Sequence, residues 1–314
     1  MKRRDFIMAG LAGGAALTAF SCKKRAKSGG EPIPRRALGK TGERLSIIGF
    51  GGIVVMDEEP KTAARLVADA VERGVNYFDV APSYGNAQEM LGPAFQPFRK
   101  NCFLACKTTE RGKAGAENEL NESLRILRTD HVDLYQLHAL SSLDDVDKAF
   151  GPAGAMEVFT RARQEGKTRF LGFSAHSEEA ALAAMARFDF DTILFPVNFA
   201  CWFAGNFGPR ALARAMEKGM GILALKALAQ GPVAEGESKP HPKCWYRPIE
   251  DASLQALALR FTLSQGVTAA IPPGQPQFFL RALDIAADAT PVTEEEIRIL
   301  KDRAEAIEPI FKTG

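Results

Sequence analysis

Three strand-like runs in this chain end in chemically distinctive residues at nearly equal intervals. NYFDV carries Asp79, FLACK ends at Lys107, and VDLYQLH ends at His138. The steps are 28 residues from Asp79 to Lys107 and 31 from Lys107 to His138, each the length of one strand, one helix and two short loops. Consecutive parallel strands joined by helices put their C-terminal ends on one side, and in a closed (β/α) barrel that side carries the chemistry. A carboxylate, an ammonium and an imidazole are therefore expected at one barrel mouth. The turn PSYG places Tyr84 five residues after Asp79, at the same mouth.

The rest of the chain continues the repeat. RALGKTGERLSII has a Gly-centred turn between alternating residues, which predicts a hairpin closing the barrel bottom. Strands are expected at 46–50, 76–80, 103–107, 132–138, 170–174, 192–197, 221–225 and 267–271. Helices are expected at 61–73, 87–95, 117–127, 144–164, 178–187, 209–218, 249–264 and 277–287. Thr293 followed by three glutamates predicts an N-capped extra helix at the C-terminus. The fold class is thus α/β, a (β/α)8 TIM barrel with an N-terminal β-hairpin and a C-terminal extra helix. At 314 residues, the chain accommodates one barrel of about 250 residues.

Two stretches near the expected mouth point to ligands on their own residues. Gly51 and Gly52 end the first strand, where glycine lets the backbone approach a ligand or simply turns it. The segment 226–248 is too long for a plain connection and carries Trp245 and Tyr246 among prolines, a natural substrate wall.

Composition narrows the function classes. Hydrophobic residues make up 46% and charged residues 25%, enough for an ordinary core. The formal charge of +2 is accounted for by the first five residues, so nucleic acid has no electrostatic case. The five cysteines show no CxxC and no Cys/His cluster, so no metal is expected; Cys102 and Cys106 read as buried thiols on one strand.

Residues 1–22, MKRRDFIMAGLAGGAALTAFSC, have a basic start, a short apolar stretch and small residues before a cysteine, the layout of an export signal. KRRDFIM resembles the twin-arginine signal, which implies the Tat export machinery as a partner and a periplasmic location. The alternative is a fortuitous basic amphipathic tail; within the export reading, Cys22 is also a candidate lipidated first residue that would tether the mature chain to a membrane. Residues 23–34 read as a flexible tether and 35–314 as the barrel domain.

The four residues suit carbonyl reduction. Such a reaction needs a proton at the oxygen, and a tyrosine with a pKa near 10 is a reluctant acid unless a neighbouring ammonium lowers it. Tyr84 is the expected proton donor, Lys107 its tuner, Asp79 the anchor of Lys107, and His138 the group that orients the carbonyl oxygen.

FDVAPSYG, ACKT and DLYQLH, with RALGKTG and AAIPPG, resemble the aldo-keto reductase superfamily over roughly 33–306. The resemblance implies the same catalytic roles, a NADP(H) cofactor with NAD(H) as the other choice, and interconversion of aldehyde, ketone or sugar carbonyls with alcohols. It also implies cofactor contacts at Gly51, Gly52, Asp79, Ser174, Asn198, Ala227, Leu228, Gly231, Gly274, Gln275 and Gln277, and substrate contacts at Tyr84, His138, Trp245 and Tyr246. The family's Asn after Ser174 is Ala175 here, and the basic residue expected for the 2′-phosphate is replaced by uncharged residues, Arg281 coming late. His176 reads as a cap of the next helix rather than a cofactor contact, and Lys226 as a contact to phosphate or substrate, or a solvated lysine. The competing class is an exported, non-enzymatic barrel whose cofactor site has drifted.

Overall fold

In a computed structural model, residues 32–313 are described. The export signal, Cys22 and the tether as far as residue 31 lie outside the described residues. Of the expected tether, Pro32–Pro34 belong to the barrel: Ile33 is buried, and its N–H donates to the Arg73 carbonyl at the end of the first helix.

Eight parallel strands follow one another around the sheet in chain order: Phe50–Gly51, Tyr77–Asp79, Phe103–Thr108, Val132–Leu140, Thr168–Ala175, Thr192–Pro196, Gly221–Leu225 and Ala269–Ile271. The first and last meet through a parallel bridge between Ile48 and Ala270, with Gly49 donating to the Ala270 carbonyl and Ala270 to that of Ile47, both at 2.9 Å. The expected (β/α)8 barrel is therefore formed. The register steps upward from strand to strand: Gly51 pairs with Asp79, Asp79 with Ala105 two residues before Lys107, and Lys107 with Gln136 two residues before His138.

Alternation along the strands sorts side chains into two cores. Leu38, Leu45, Tyr77, Phe103, Ala105, Leu134, Leu194, Leu223 and Ala269 fill the barrel interior. Leu104, Cys106, Tyr135 and Leu137, one residue out of step, pack outward against the helices. The same parity that turns Phe103 and Ala105 inward turns Lys107 inward, and that of Leu134 carries Gln136 and His138. Leu38 and Leu45 come from the hairpin Arg35–Ala37 with Arg44–Ser46, which plugs the bottom. At its turn, Gly39 has φ +51°, and a Cβ there would lie 2.3 Å from the Gly221 nitrogen, so only glycine lets the plug seat.

Several expected boundaries differ. Ser46 belongs to the hairpin rather than to the first barrel strand, which holds Phe50–Gly51 alone. The expected helix 144–164 is two, Leu143–Phe150 and Ala155–Gln164. The GPAG at 151–154 breaks it: Pro152 lacks an N–H, Ala153 has φ +55°, and Ala153 receives a bond from Lys113 of a neighbouring helix. That neighbour, Lys113–Ile126, starts four residues before its expected place. The helix expected at 249–264 runs only from Ala252 to Leu263, because Asp251 caps it. The long segment after strand seven is not wholly irregular, since Ala229–Pro232 pairs antiparallel with Tyr246–Pro248. The extra helix Glu294–Glu305 begins with the expected Thr293–Glu296 capping box.

Candidate active site

The deepest charged group at the mouth is Lys107. Its side chain is buried from solvent and donates to Asp79 Oδ1 and, at 3.3 Å, to the Val80 carbonyl. Burial disfavours its charge, but Asp79 and then Tyr84 outweigh that, leaving its pKa above the ordinary lysine value. The second carboxylate oxygen of Asp79 accepts from the Tyr77 hydroxyl and from Gln136 Nε2, each at 3.1 Å. Burial and the neighbouring Asp79 hold the Tyr77 phenol well above its usual range, so it stays a donor. Neither Tyr77 nor Gln136 was singled out by sequence. The available signal was parity: each lies two residues before a functional residue on the same strand, and so faces the interior with it.

Tyr84 sits on the turn above this pair. Lys107 Nζ lies 5.2 Å from its ring centroid, and the His138 ring meets it edge-on at 5.6 Å between centroids. The expectation that Lys107 leaves the phenol more acidic than usual is corrected. Burial raises the Tyr84 pKa by more than Lys107 lowers it, and Asp79 raises it further, so the group is fully protonated at neutral pH.

A bulge interrupts the strand pairing at His138 and Ala139. The register between strands four and five shifts between Leu137 and Leu140, and Ala139 has φ +53°. Arg111, paired with Asp145, donates to the His138 carbonyl at 2.7 Å and the Ala139 carbonyl at 3.3 Å and holds the bulge. Nδ1 of His138 is 3.2 Å from the Ser83 hydroxyl. Burial first, then the charges of Lys107, His176, Arg111 and Lys226, push its pKa down to about 2. It is thus a neutral imidazole throughout the physiological range.

That depression has a consequence for stability. With a folded pKa near 2 and an ordinary one of 6.5, the unfolded chain binds the proton first, so stability is complete above pH 6.5 and falls as pH drops below it. Urea unfolding at pH 7 and pH 5 should show wild type losing about 2 kcal/mol through this group alone, and His138→Asn losing correspondingly less. Equal losses in both proteins would remove the burial reading of His138.

A cavity of about 450 Å³ opens above these residues. Asp79, Tyr84, His138, Gly51, Ser174, Gly274, Trp245 and Tyr246 line it as expected of site residues. Ser174 accepts from the Ala139 N–H at 2.7 Å, which leaves its own proton for a ligand. The remaining expected cofactor contacts are not among its lining. Asn198 is buried and caps a short helix, Phe199–Phe203, by accepting from the Cys201 N–H. Ala227 and Leu228 are buried, and Gly231 pairs with Arg247 in the small hairpin. Gly52 packs on Val80, Gln275 stands at the N-cap position of Pro276–Ala287, and Gln277 is exposed.

His176 does not cap the following helix. Ser177 does, accepting from the Ala180 N–H, while His176 lines the cavity and stacks on Phe311 with centroids 5.0 Å apart. Lys226 is no solvated lysine either. It has φ +67°, lines the cavity, and lies over the rings of Trp245 and Tyr246.

The sequence profile of the Aldo/keto reductase family matches residues 48–302. Similar proteins include an uncharacterized oxidoreductase, YqkF, of Bacillus subtilis (strain 168), 26% identical over 85% of this chain and 95% of its own. An L-galactose dehydrogenase of Arabidopsis thaliana is 28% identical over 67% of this chain and 70% of its own. In three dimensions, the chain resembles the holo form of aldo-keto reductase AKR11C1 from Bacillus halodurans, with a TM-score of 0.68 and 24% identity, covering 88% of this chain and 98% of that one. With a profile match running from the first barrel strand into the last helix, and the barrel itself in place, the chain belongs to the aldo/keto reductase family.

Proposed function

We propose that this protein interconverts a carbonyl and an alcohol with a nicotinamide cofactor, Tyr84 exchanging the proton at the substrate oxygen. The supporting observation is the buried Lys107–Asp79 pair set beneath Tyr84 and beside His138 at one cavity. Asp79, held by Tyr77 and Gln136, keeps Lys107 charged and fixed. Lys107 stabilises the phenolate that remains once Tyr84 gives up its proton. Neutral His138 fixes the carbonyl oxygen by a hydrogen bond.

The residues fit the nicotinamide end of such a cofactor. The unspent Ser174 proton faces a cavity that runs from Asp79 to Gly274, and its volume falls within the usual range for ligand sites. When bound, the cofactor supplies or accepts the hydride. At the far end, the positions after the last strand offer Gln275 and Gln277 and no base, with Arg281 exposed on the helix, so a 2′-phosphate finds no charged partner there. NAD(H) is therefore as well suited as NADP(H).

Two relatives, the L-galactose dehydrogenase and a 6-dehydroglucose reductase of Novosphingobium aromaticivorans, are named for sugars. Trp245, 45% exposed at the cavity, offers a ring on which a sugar can lie. We read the substrate as a polyhydroxylated carbonyl or alcohol. The resemblance of residues 1–22 to a twin-arginine signal motivates the further reading of an exported enzyme that carries its nucleotide with it.

Protein recovered from the export compartment should bind NADPH or NADH in a fluorescence titration and consume it only when a sugar or simple aldehyde is added. Failure to bind either nucleotide would instead favour a non-enzymatic barrel whose cofactor site has drifted. The observation that favours that reading is Asn198, whose side chain caps a helix away from the cavity.

A further inference from the structure

Beyond burial, which is the first cause of the raised Tyr84 pKa, Asp79 acts on the phenol in two opposed ways. It keeps the Lys107 ammonium charged beneath the ring, which eases loss of the proton, and its own negative charge repels the phenolate that the loss leaves. The two carboxylate oxygens divide the work. Oδ1 is given to Lys107, and Oδ2 accepts from the Tyr77 hydroxyl and from Gln136 Nε2. Gln136 makes that bond at a cost. Its Oε1 is buried and has no hydrogen-bond partner among the described residues, an unfavourable state for an acceptor. Turning the amide over would not relieve it, because the carbonyl would then face Asp79 Oδ2, acceptor against acceptor. An apolar side chain of similar volume would fill this interior layer without the unpaired oxygen, so packing alone does not account for a glutamine here.

We propose that Tyr77 and Gln136 are positioning residues that set how readily Tyr84 parts with its proton, by drawing off the charge of Asp79 through Oδ2 while Oδ1 stays with Lys107. The inference rests on the redox reading of the site and deepens it. The hydroxyl and amide dipoles turn their positive ends to Oδ2, which weakens the repulsion that Asp79 exerts on the phenolate. They leave the bond to Lys107 untouched, so the ammonium keeps its place under the ring. Tyr77 and Gln136 are fully buried, and their donors act without competition from solvent. The other titratable groups close to Tyr84 carry no charge at neutral pH. Burial raises the Cys106 thiol and the Tyr77 phenol, and burial lowers the His138 imidazole. Asp79 and Lys107 are therefore the two charges whose balance the phenol feels, and Tyr77 and Gln136 adjust that balance from behind.

The test is the pH dependence of the hydride-transfer step, followed by stopped flow in both directions. Two variants serve: Tyr77→Phe, which removes one oxygen, and Gln136→Met, which keeps most of the side-chain volume. The pH at which alcohol oxidation levels off and carbonyl reduction begins to fall should move up by at least about half a unit in each variant. That is about a threefold change in the ionised fraction of Tyr84 at fixed pH. The double variant should move further. Titration of protein carrying carbon-13 at Cζ of its four tyrosines follows the same ionisation by NMR without substrate or cofactor. The Tyr84 signal is the one missing from Tyr84→Phe, and its midpoint should rise in step. Variants that lose rate or stability with both midpoints in place show a merely structural role and overturn the proposal, as does a downward shift. Should Gln136→Met fail to fold, Tyr77→Phe decides by itself. If wild type reduces no carbonyl, the redox reading fails separately, and the tyrosine titration alone decides what Tyr77 and Gln136 do to Tyr84.

Discussion

Tyr84→Phe should lower kcat for carbonyl reduction by about a thousandfold, within the range that a positioned general acid contributes, while cofactor affinity stays close to wild type. The phenol is the group at the mouth that combines an ionisable proton with an ammonium placed to stabilise its loss. His138, neutral and without a nearby carboxylate to support an imidazolium, is a poor replacement. The two directions of reaction should respond differently to pH. Because burial keeps the Tyr84 pKa above 10, the acid form needed for reduction persists across neutral pH, and reduction should be level there. Alcohol oxidation draws on the basic form and should quicken as pH rises. Stopped-flow measurement of the hydride-transfer step in both directions checks this. A variant that reduces aldehydes at the wild-type rate would take the proton-donor role from Tyr84.

What could be read from the chain beforehand follows periodicity. Asp79, Lys107 and His138 were legible because strand and helix lengths repeat, and a residue's face on a barrel strand follows from parity alone. Trp245 and Tyr246 were legible as a wall because the segment holding them is long and starts at the end of a strand. Contacts made by a loop residue in three dimensions had no such regularity. Asn198 looked like a cofactor residue from its place after strand six, but the backbone turns into a short helix there, and its amide serves the Cys201 N–H instead. His176 and Ser177 are adjacent, and only geometry decides which caps the helix and which enters the cavity. Lys226 depends on a left-handed backbone that its own side chain gives no hint of. The phenol's acidity was misjudged for a related reason, since the pull of Lys107 can be inferred from spacing while the depth of burial that opposes it cannot.

Lys107→Met should cost about 3–5 kcal/mol of folding stability, the usual result of leaving one member of a buried ion pair behind. The side chain of Lys107 is inaccessible to solvent and that of Asp79 nearly so, at 2%. Removing the ammonium leaves a carboxylate with two neutral donors, Tyr77 and Gln136, and no counter-charge. Adding Asp79→Asn should return most of the loss. A neutral amide oxygen can still accept from Tyr77 and Gln136, and methionine fills much of the volume of the lysine stem. Asp79→Asn alone should be nearly as damaging as Lys107→Met, because the ammonium then keeps only the Val80 carbonyl and a neutral amide. Urea unfolding of the four proteins forms a double-mutant cycle in which the two losses are strongly non-additive. Both activity-deficient variants remain informative, since the readout is stability. Losses that simply add, or a Lys107→Met variant within about 1 kcal/mol of wild type, would mean that the pair is solvated, since exposed ion pairs contribute no more than that. The support for Tyr84 by a fixed ammonium would then be lost as well.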